Sequence, residues 1–289
     1  MRALQTITIT LLALFPLPSP ALLTTLLAAR PFMTSLSSSS SSSVFRGVNL
    51  GPTLSPHHTS VASRFATAPA LTLVLSSGSS TRRMILDSIP LDYKVHVSPV
   101  DERGVGVELR EEGSKESARK LVEMLAAIKR GGVLEDLEAG RVEGVEGGCV
   151  VLTADQVVTH PDLGILEKPL NLSEASTFMS AYASTPSVTT VGSVMLTHFP
   201  SLRSSLRTFE ATVLFDGPKL TADLEGEGPN LLDRLVESGA PVMHCAGGLM
   251  VENPLVREFV VGVEGGEDAV LGLARTSVLE CVEEIMGVV

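Results

Sequence analysis

At 289 residues, with 44% hydrophobic content, a formal charge of −11 and an isoelectric point near 5.0, the chain can bury a sizeable core. Its acidity argues against a broad nucleic-acid-binding face and leaves room only for a local basic pocket inside an acidic shell. The three cysteines, Cys149, Cys245 and Cys281, lie far apart in apolar segments and read as core thiols of a reducing compartment, and the six histidines show no zinc-ligand spacing.

The first third differs from the rest. Residues 1–70 contain no Asp or Glu but carry Arg2, Arg30, Arg46 and Arg64. An apolar run at Ile7–Phe15, too short to span a bilayer, precedes a serine tract at Ser35–Ser43. Acid-poor, Ser-rich and Arg-containing, residues 1–68 read as a presequence and disordered tether directing the protein to a plastid or mitochondrion. The alternatives are a start at Met33 or a cytoplasmic extension. On the presequence reading a chain beginning near Ala70 melts as the full chain does, residues 69–289 form the single domain, and stable membrane insertion is not expected.

Thr72–Leu75 is an unbroken apolar strand, and Ile85, Leu86 and Ile89 then recur at helical spacing, so the turn Ser76–Thr81 falls at a helix N-terminus. Ser77 and Ser79 are either plain caps or hydroxyl donors of a phosphate cradle, for which Gly78 permits close approach and Arg82 offers a planar fork. Tyr93–Val100 alternates as a second strand and delivers Asp101 and Glu102 at its end. Ser114–Lys129 reads as a helix with Leu121, Met124, Leu125 and Ile128 on one stripe and Lys129 at its edge. The Gly- and Glu-rich stretch Gly131–Gly148 reads as an enlarged surface loop. Cys149–Val158, with Asp155-Gln156 inside it, is an apolar run interrupted by one carboxylate, and a carboxylate inside a buried strand must be hydrogen-bonded, paired or metal-bound.

Gly164–Pro169, with Glu167 and Lys168, reads as a hairpin arm. Asn171 caps a helix carrying Ala175, Phe178, Met179 and Tyr182. Val188–Thr197 and Leu206–Phe215 are strand-like, and Asn230–Glu237 is a short amphipathic helix. Met243-His-Cys-Ala-Gly-Gly248, followed by Glu252, makes a small-residue turn. Leu255–Val263, Val270-Leu-Gly-Leu273 and a helix from Ser277 complete the chain.

In this order, Ser77-x-Ser79-x-x-Arg82, Ala154-Asp155-Gln156, Glu167-Lys168-Pro169 and the His244-Cys-Ala-Gly247 turn resemble the Maf-like nucleoside triphosphate pyrophosphatases from about Leu71 to the C-terminus. The resemblance implies an α/β fold, a mixed twisted sheet flanked by helices in a single Maf-like (ITPase-like) domain with a cleft. It implies hydrolysis of a nucleoside triphosphate to the monophosphate and pyrophosphate. Ser77, Ser79, Arg82, Lys129 and Lys168 would hold the phosphates, while Asp155 and Glu102 would bind a divalent Mg²⁺ or Mn²⁺ and activate water. The family suggests a homodimer.

Three departures from the commoner pattern concern the base. Thr81 replaces an Arg, Gln156 replaces a Thr, and Ala246-Gly247-Gly248 with Glu252 replaces a Gln-Gly turn. They resemble the branch acting on 7-methylguanosine triphosphate, although that branch usually has a large aromatic where Thr81 stands. The alternatives kept open are a dTTP/UTP pyrophosphatase and a catalytically weak nucleotide-binding regulator of cell division.

Overall fold

The structure, a computed structural model, describes residues 50, 53–68, 71–102, 104–145 and 148–288. The short apolar run, the serine tract and Met33 lie outside the described residues. Among the described residues, no helix is long and apolar enough to cross a membrane.

In chain order the elements begin with α1 (Pro56–Thr67), β1 (Thr72–Leu75), α2 (Ser80–Asp87), β2 (Tyr93–Val95), α3 (Val107–Glu112) and α4 (Lys115–Glu138). There follow β3 (Cys149–His160), β4 (Gly164–Leu166), α5 (Leu172–Ser184), β5 (Ser187–Phe199), β6 (Ser204–Phe215), α6 (Gly217–Glu225) and α7 (Leu231–Glu237). Two 3₁₀ turns, Val242–His244 and Ala246–Gly248, lead to α8 (Pro254–Arg257), β7 (Val260–Glu264), α9 (Glu267–Val270) and α10 (Arg275–Val288).

The seven strands form one mixed sheet in the order β2-β1-β3-β5-β6-β7, with β4 pairing β3. β1 runs parallel to β2 and β3, while β5, β6 and β7 continue antiparallel. The expected α/β fold with a mixed sheet flanked by helices is the observed one. β3 organises it. One of its edges pairs with β5 from Cys149 to Thr159; the other pairs with β1 over Cys149–Leu152 and with β4 over Val158–His160. Between these two partners the edge opens at Thr153–Val157, beyond the carboxyl end of β1, which is where open α/β sheets accept ligands.

Strand alternation then sorts β3 by face. Cys149, Val151 and Val157 pack beneath α4, whereas Val150, Leu152, Ala154 and Val158 face the larger core with α2, α5 and α10. α4 is pinned to the sheet by two strand hydroxyls, Ser193 Oγ donating to Val122 O at 2.7 Å and Thr153 Oγ1 to Ala126 O at 3.0 Å.

Four expectations are corrected. α4 continues through both glycines to Glu138, so the chain leaves the helix only at Ala139; Val133, Leu134 and Leu137 carry its apolar stripe onward. The buried stripe is Leu121, Val122, Leu125 and Ala126, while Met124 is exposed. Lys129 therefore lies mid-helix on the sheet-facing side. The second strand stops at Val95, and the following segment is held by side chains: Asp136 accepts from His96 at 2.7 Å and from Arg141 at 2.6 Å. These partners and Ser98 pull the Asp136 carboxyl down to about 2.

The fourth correction concerns the tether. Residues 56–67 form α1, started by Ser55 as N-cap and Pro56 in the first turn, with Val61, Ala62 and Phe65 buried in the main core. Its His57 meets Glu283 of α10 at 2.9 Å, and Leu50 O accepts from Arg275 at 2.6 Å.

Gly132 explains how a glycine survives inside α4. A Cβ there would fall 2.7 Å from Val100 Cγ1 and 3.0 Å from Ser98 Oγ, so the loop bearing Glu102 lies directly against the helix backbone. Among the described residues, nothing lies within 4 Å of a would-be Cβ on Gly131. Gly131→Ala is expected to stabilise the protein by up to about 1 kcal/mol through helix propensity. Gly132→Ala should lose that gain by displacing the loop; equal melting temperatures for the two variants would contradict the packing.

Candidate active site

A cleft of about 600 Å³ opens at the gap in the β3 edge. Every candidate site residue borders it: Ser77, Ser79, Thr81 and Arg82 from the β1–α2 turn; Glu102 from the loop after β2; Lys129 from α4; Asp155 and Gln156 from β3; Lys168 and Glu252 from the two following turns. Such a volume suits a nucleotide-sized ligand.

The carboxylate end is built by alternation. Asp155 lies on the α4 face of β3, one turn of α4 beyond the Thr153–Ala126 contact, and Lys129 Nζ reaches Asp155 Oδ1 at 3.1 Å and Glu102 Oε1 at 3.4 Å. Asp155 Oδ1 also accepts from the Gln156 amide at 2.9 Å. Asp155 Oδ2 is buried and, among the described residues, has no hydrogen-bond partner. An unpartnered buried carboxylate oxygen is costly and calls for a ligand to satisfy it.

Gln156, one residue on, faces the other way. Its amide Nε2 donates to Ala269 O and Val270 O, both at 2.9 Å, at the end of α9. Both side-chain N–H groups are thus engaged with the backbone, leaving Oε1 as the group Gln156 can offer to a ligand.

The β1–α2 turn is internally bonded. Ser79 Oγ caps α2 by accepting from the Arg82 amide and shares a proton with Thr81 Oγ1 at 2.7 Å. Ser77 Oγ accepts from the Ser79 amide and from Arg82 Nη1, which leaves its own O–H to donate. Arg82 Nη1 also donates to Ala154 O at 3.0 Å, filling the open strand edge, and Nε donates to Gly272 O at 2.9 Å. The expected phosphate fork is therefore largely committed inside the protein. Burial lowers the Arg82 pKa, opposed by the charges of Asp155 and Glu102.

Lys168 and Glu252 bring further charges to the cleft. Lys168 is exposed and, among the described residues, has no carboxylate at ion-pair distance. Glu252 is partly buried; desolvation raises its carboxyl above the usual range, its own backbone and Arg257 pulling the other way. Burial, helped by Glu252 and opposed by Lys168, pushes the Cys245 thiol up to about 12. The turn is fixed by Gly247, whose amide donates to Glu167 O at 2.8 Å and whose carbonyl accepts from Tyr182 Oη at 2.7 Å.

Arg110 of α3 was not anticipated. It forks onto Glu167, Nε to Oε2 at 2.6 Å and Nη2 to Oε1 at 2.9 Å; that pairing, opposed by burial, raises its pKa, and the charges of Glu167, Asp155 and Glu102 add to it. Its sequence neighbours form an ordinary charged stretch, and the partner lies 57 residues away.

A parallel-strand carboxyl edge, a hydroxyl-rich helix start, and cations set among carboxylates define an α/β protein whose cleft can hold a polyphosphate. The Maf-like protein family matches residues 72–285, and the chain belongs to that family. Its relatives include a 7-methyl-GTP pyrophosphatase of Dictyostelium discoideum, 23% identical over 214 residues, covering 74% of this chain and 96% of that protein. A dTTP/UTP pyrophosphatase of Salinibacter ruber is 29% identical over 201 residues, 70% of this chain and 84% of that one. A nucleoside triphosphate pyrophosphatase of Saccharopolyspora erythraea is 29% identical over 202 residues, 70% and 87% respectively.

Proposed function

We propose that the protein is a nucleoside triphosphate pyrophosphatase, a hydrolase of acid anhydrides that cleaves between the α- and β-phosphates to give a nucleoside monophosphate and pyrophosphate. The observation carrying this reading is the unpartnered Oδ2 of Asp155 in a cleft where Lys129 bridges Asp155 and Glu102. That oxygen fits a divalent cation. Among the described residues no group of three His, Cys, Asp or Glu side chains is gathered, and two carboxylates suit Mg²⁺ or Mn²⁺, which keep water and take substrate oxygens as further ligands. Asp155 and Glu102 would hold the ion, which when bound would neutralise phosphate charge and make its water more acidic.

The protein's own groups supply the rest. Lys129 keeps the two carboxylates together, and the start of α2 with the Ser77 hydroxyl donates to phosphate oxygens. Lys168, exposed at the cleft, would add a compact cation. Asp155 takes the proton of the attacking water.

For the base, Glu252 supports 7-methylguanosine triphosphate. Guanine offers two adjacent donors, N1–H and the 2-amino group, that one carboxylate can accept together. N7 methylation adds positive charge, which an incompletely hydrated carboxylate favours. The test is pyrophosphate release from a nucleotide panel with Mg²⁺: 7-methylguanosine triphosphate should exceed dTTP and UTP, and a clear preference for dTTP or UTP would overturn the base assignment alone. Glu252→Gln should narrow the gap.

The same substitution has a signature in stability. With its folded pKa raised, Glu252 contributes stability that is complete below the pKa of an unfolded glutamate and is lost as pH rises through the folded value. Glu252→Gln should therefore melt progressively higher than the parent as pH rises from about 4.5. A constant difference across pH would show that the carboxylate is not desolvated. The acid-poor leader supports import into an organelle.

A further inference from the structure

We propose that Arg110 is a positioning residue for the phosphate-binding arm, holding Glu167 so that Lys168 is delivered uncompensated to the cleft; this rests on the nucleotide reading of that cleft. Three contacts converge on the arm. The Arg110 fork satisfies both Glu167 carboxylate oxygens. The Glu167 carbonyl holds the Gly247 amide, and so the turn leading to Glu252. The start of β4 meets the C-cap of α3 at Gly164 and Gly113, where a Cβ on either would lie 3.1–3.2 Å from the Cα of the other. Arg110 also donates through Nη1 to Val105 O, in the segment that follows Glu102. α3 thus ties the segment after Glu102 to the lysine arm.

Charge makes the arrangement more than a brace. Glu167 is the immediate neighbour of Lys168, and bidentate pairing with an arginine is the strongest way to occupy a carboxylate. Without Arg110, the freed Glu167 carboxylate could draw in the Lys168 ammonium and add a negative charge where a triphosphate must enter. Both effects weaken substrate binding more than the chemical step, because Arg110 does not touch Asp155, Lys129 or Glu102 at hydrogen-bond distance.

The experiment compares Arg110→Ala, Arg110→Lys, Glu167→Ala and the double Arg110→Ala/Glu167→Ala variant in the full chain. Readouts are KM and kcat for whichever triphosphate the unmodified protein turns over best, and the affinity for inorganic tripolyphosphate with Mg²⁺. Arg110→Ala should raise KM and weaken tripolyphosphate binding between roughly tenfold and a hundredfold, a range typical of misplaced positioning groups, with a smaller change in kcat. Arg110→Lys, a point charge without the fork, should recover part of the loss. The double variant should bind better than Arg110→Ala, since the freed carboxylate is gone. Arg110→Ala with unchanged tripolyphosphate affinity, or a double variant as weak as the product of the single effects, would overturn the proposal. An unmodified protein that binds tripolyphosphate but releases no pyrophosphate would overturn the hydrolase reading instead. The titration needs no turnover and still reports on Arg110.

Discussion

Asp155→Asn is expected to lower pyrophosphate release by at least about a hundredfold at saturating Mg²⁺, the scale on which a catalytic acid–base or charge-stabilising group acts. The variant should fold. Asn keeps the oxygen that accepts from Lys129 and from the Gln156 amide, while the amide that replaces the buried, unpartnered Oδ2 carries no charge to desolvate. Its melting temperature should stay within a few degrees of the parent's in the absence of metal, since the relieved charge desolvation is offset by two buried N–H groups without an acceptor and a weaker Lys129 contact. Near-normal turnover by Asp155→Asn would exclude the mechanism, whatever the melting temperature.

The other large effect concerns the segment before β1. A chain starting at Ala70 loses α1 and with it Val61, Ala62 and Phe65, which are 2%, 0% and 2% exposed. Removing a buried Phe side chain alone costs about 3–5 kcal/mol, so this truncation should melt roughly ten degrees or more below the full chain. A chain starting at Leu50 keeps α1, the His57–Glu283 contact and the Leu50 carbonyl that Arg275 engages, and should melt with the full chain. Indistinguishable melting of the two truncations would mean that α1 adds nothing to the domain. This replaces the expectation, drawn from composition, that everything before Ala70 is dispensable. Composition misled because an acid-poor, Ser-rich background masks a short amphipathic element; Ser55-Pro56, followed by Val61, Ala62 and Phe65 at helical spacing, was the readable signal.

Local pattern placed most of the framework. β1, the start of α2, the long apolar β3 interrupted by Asp155, the Asn171 cap and the β5–β6 pair all follow from period and punctuation, and the sheet surrounds them as expected. Two consecutive glycines hid the second half of α4, because glycine is read as a breaker unless a neighbour demands its missing side chain. That neighbour, the Ser98–Val100 segment, is visible only in three dimensions. The candidate site was legible as a set of residues but less so as a set of roles. Arg82 and Gln156 do border the cleft, yet their donors serve Ala154, Gly272, Ala269 and Val270, partners far away in sequence. Arg110 had no local signature at all, since its meaning comes from Glu167.

The one-residue step from Asp155 to Gln156 also bears on how such a protein can change. A strand turns successive side chains to opposite sides, so a substitution at 156 is felt by α9 and the α9–α10 turn, while one at 155 is felt by Lys129 and Glu102. Selection can therefore rework the lining on one side of the sheet while the charged cluster on the other keeps its form.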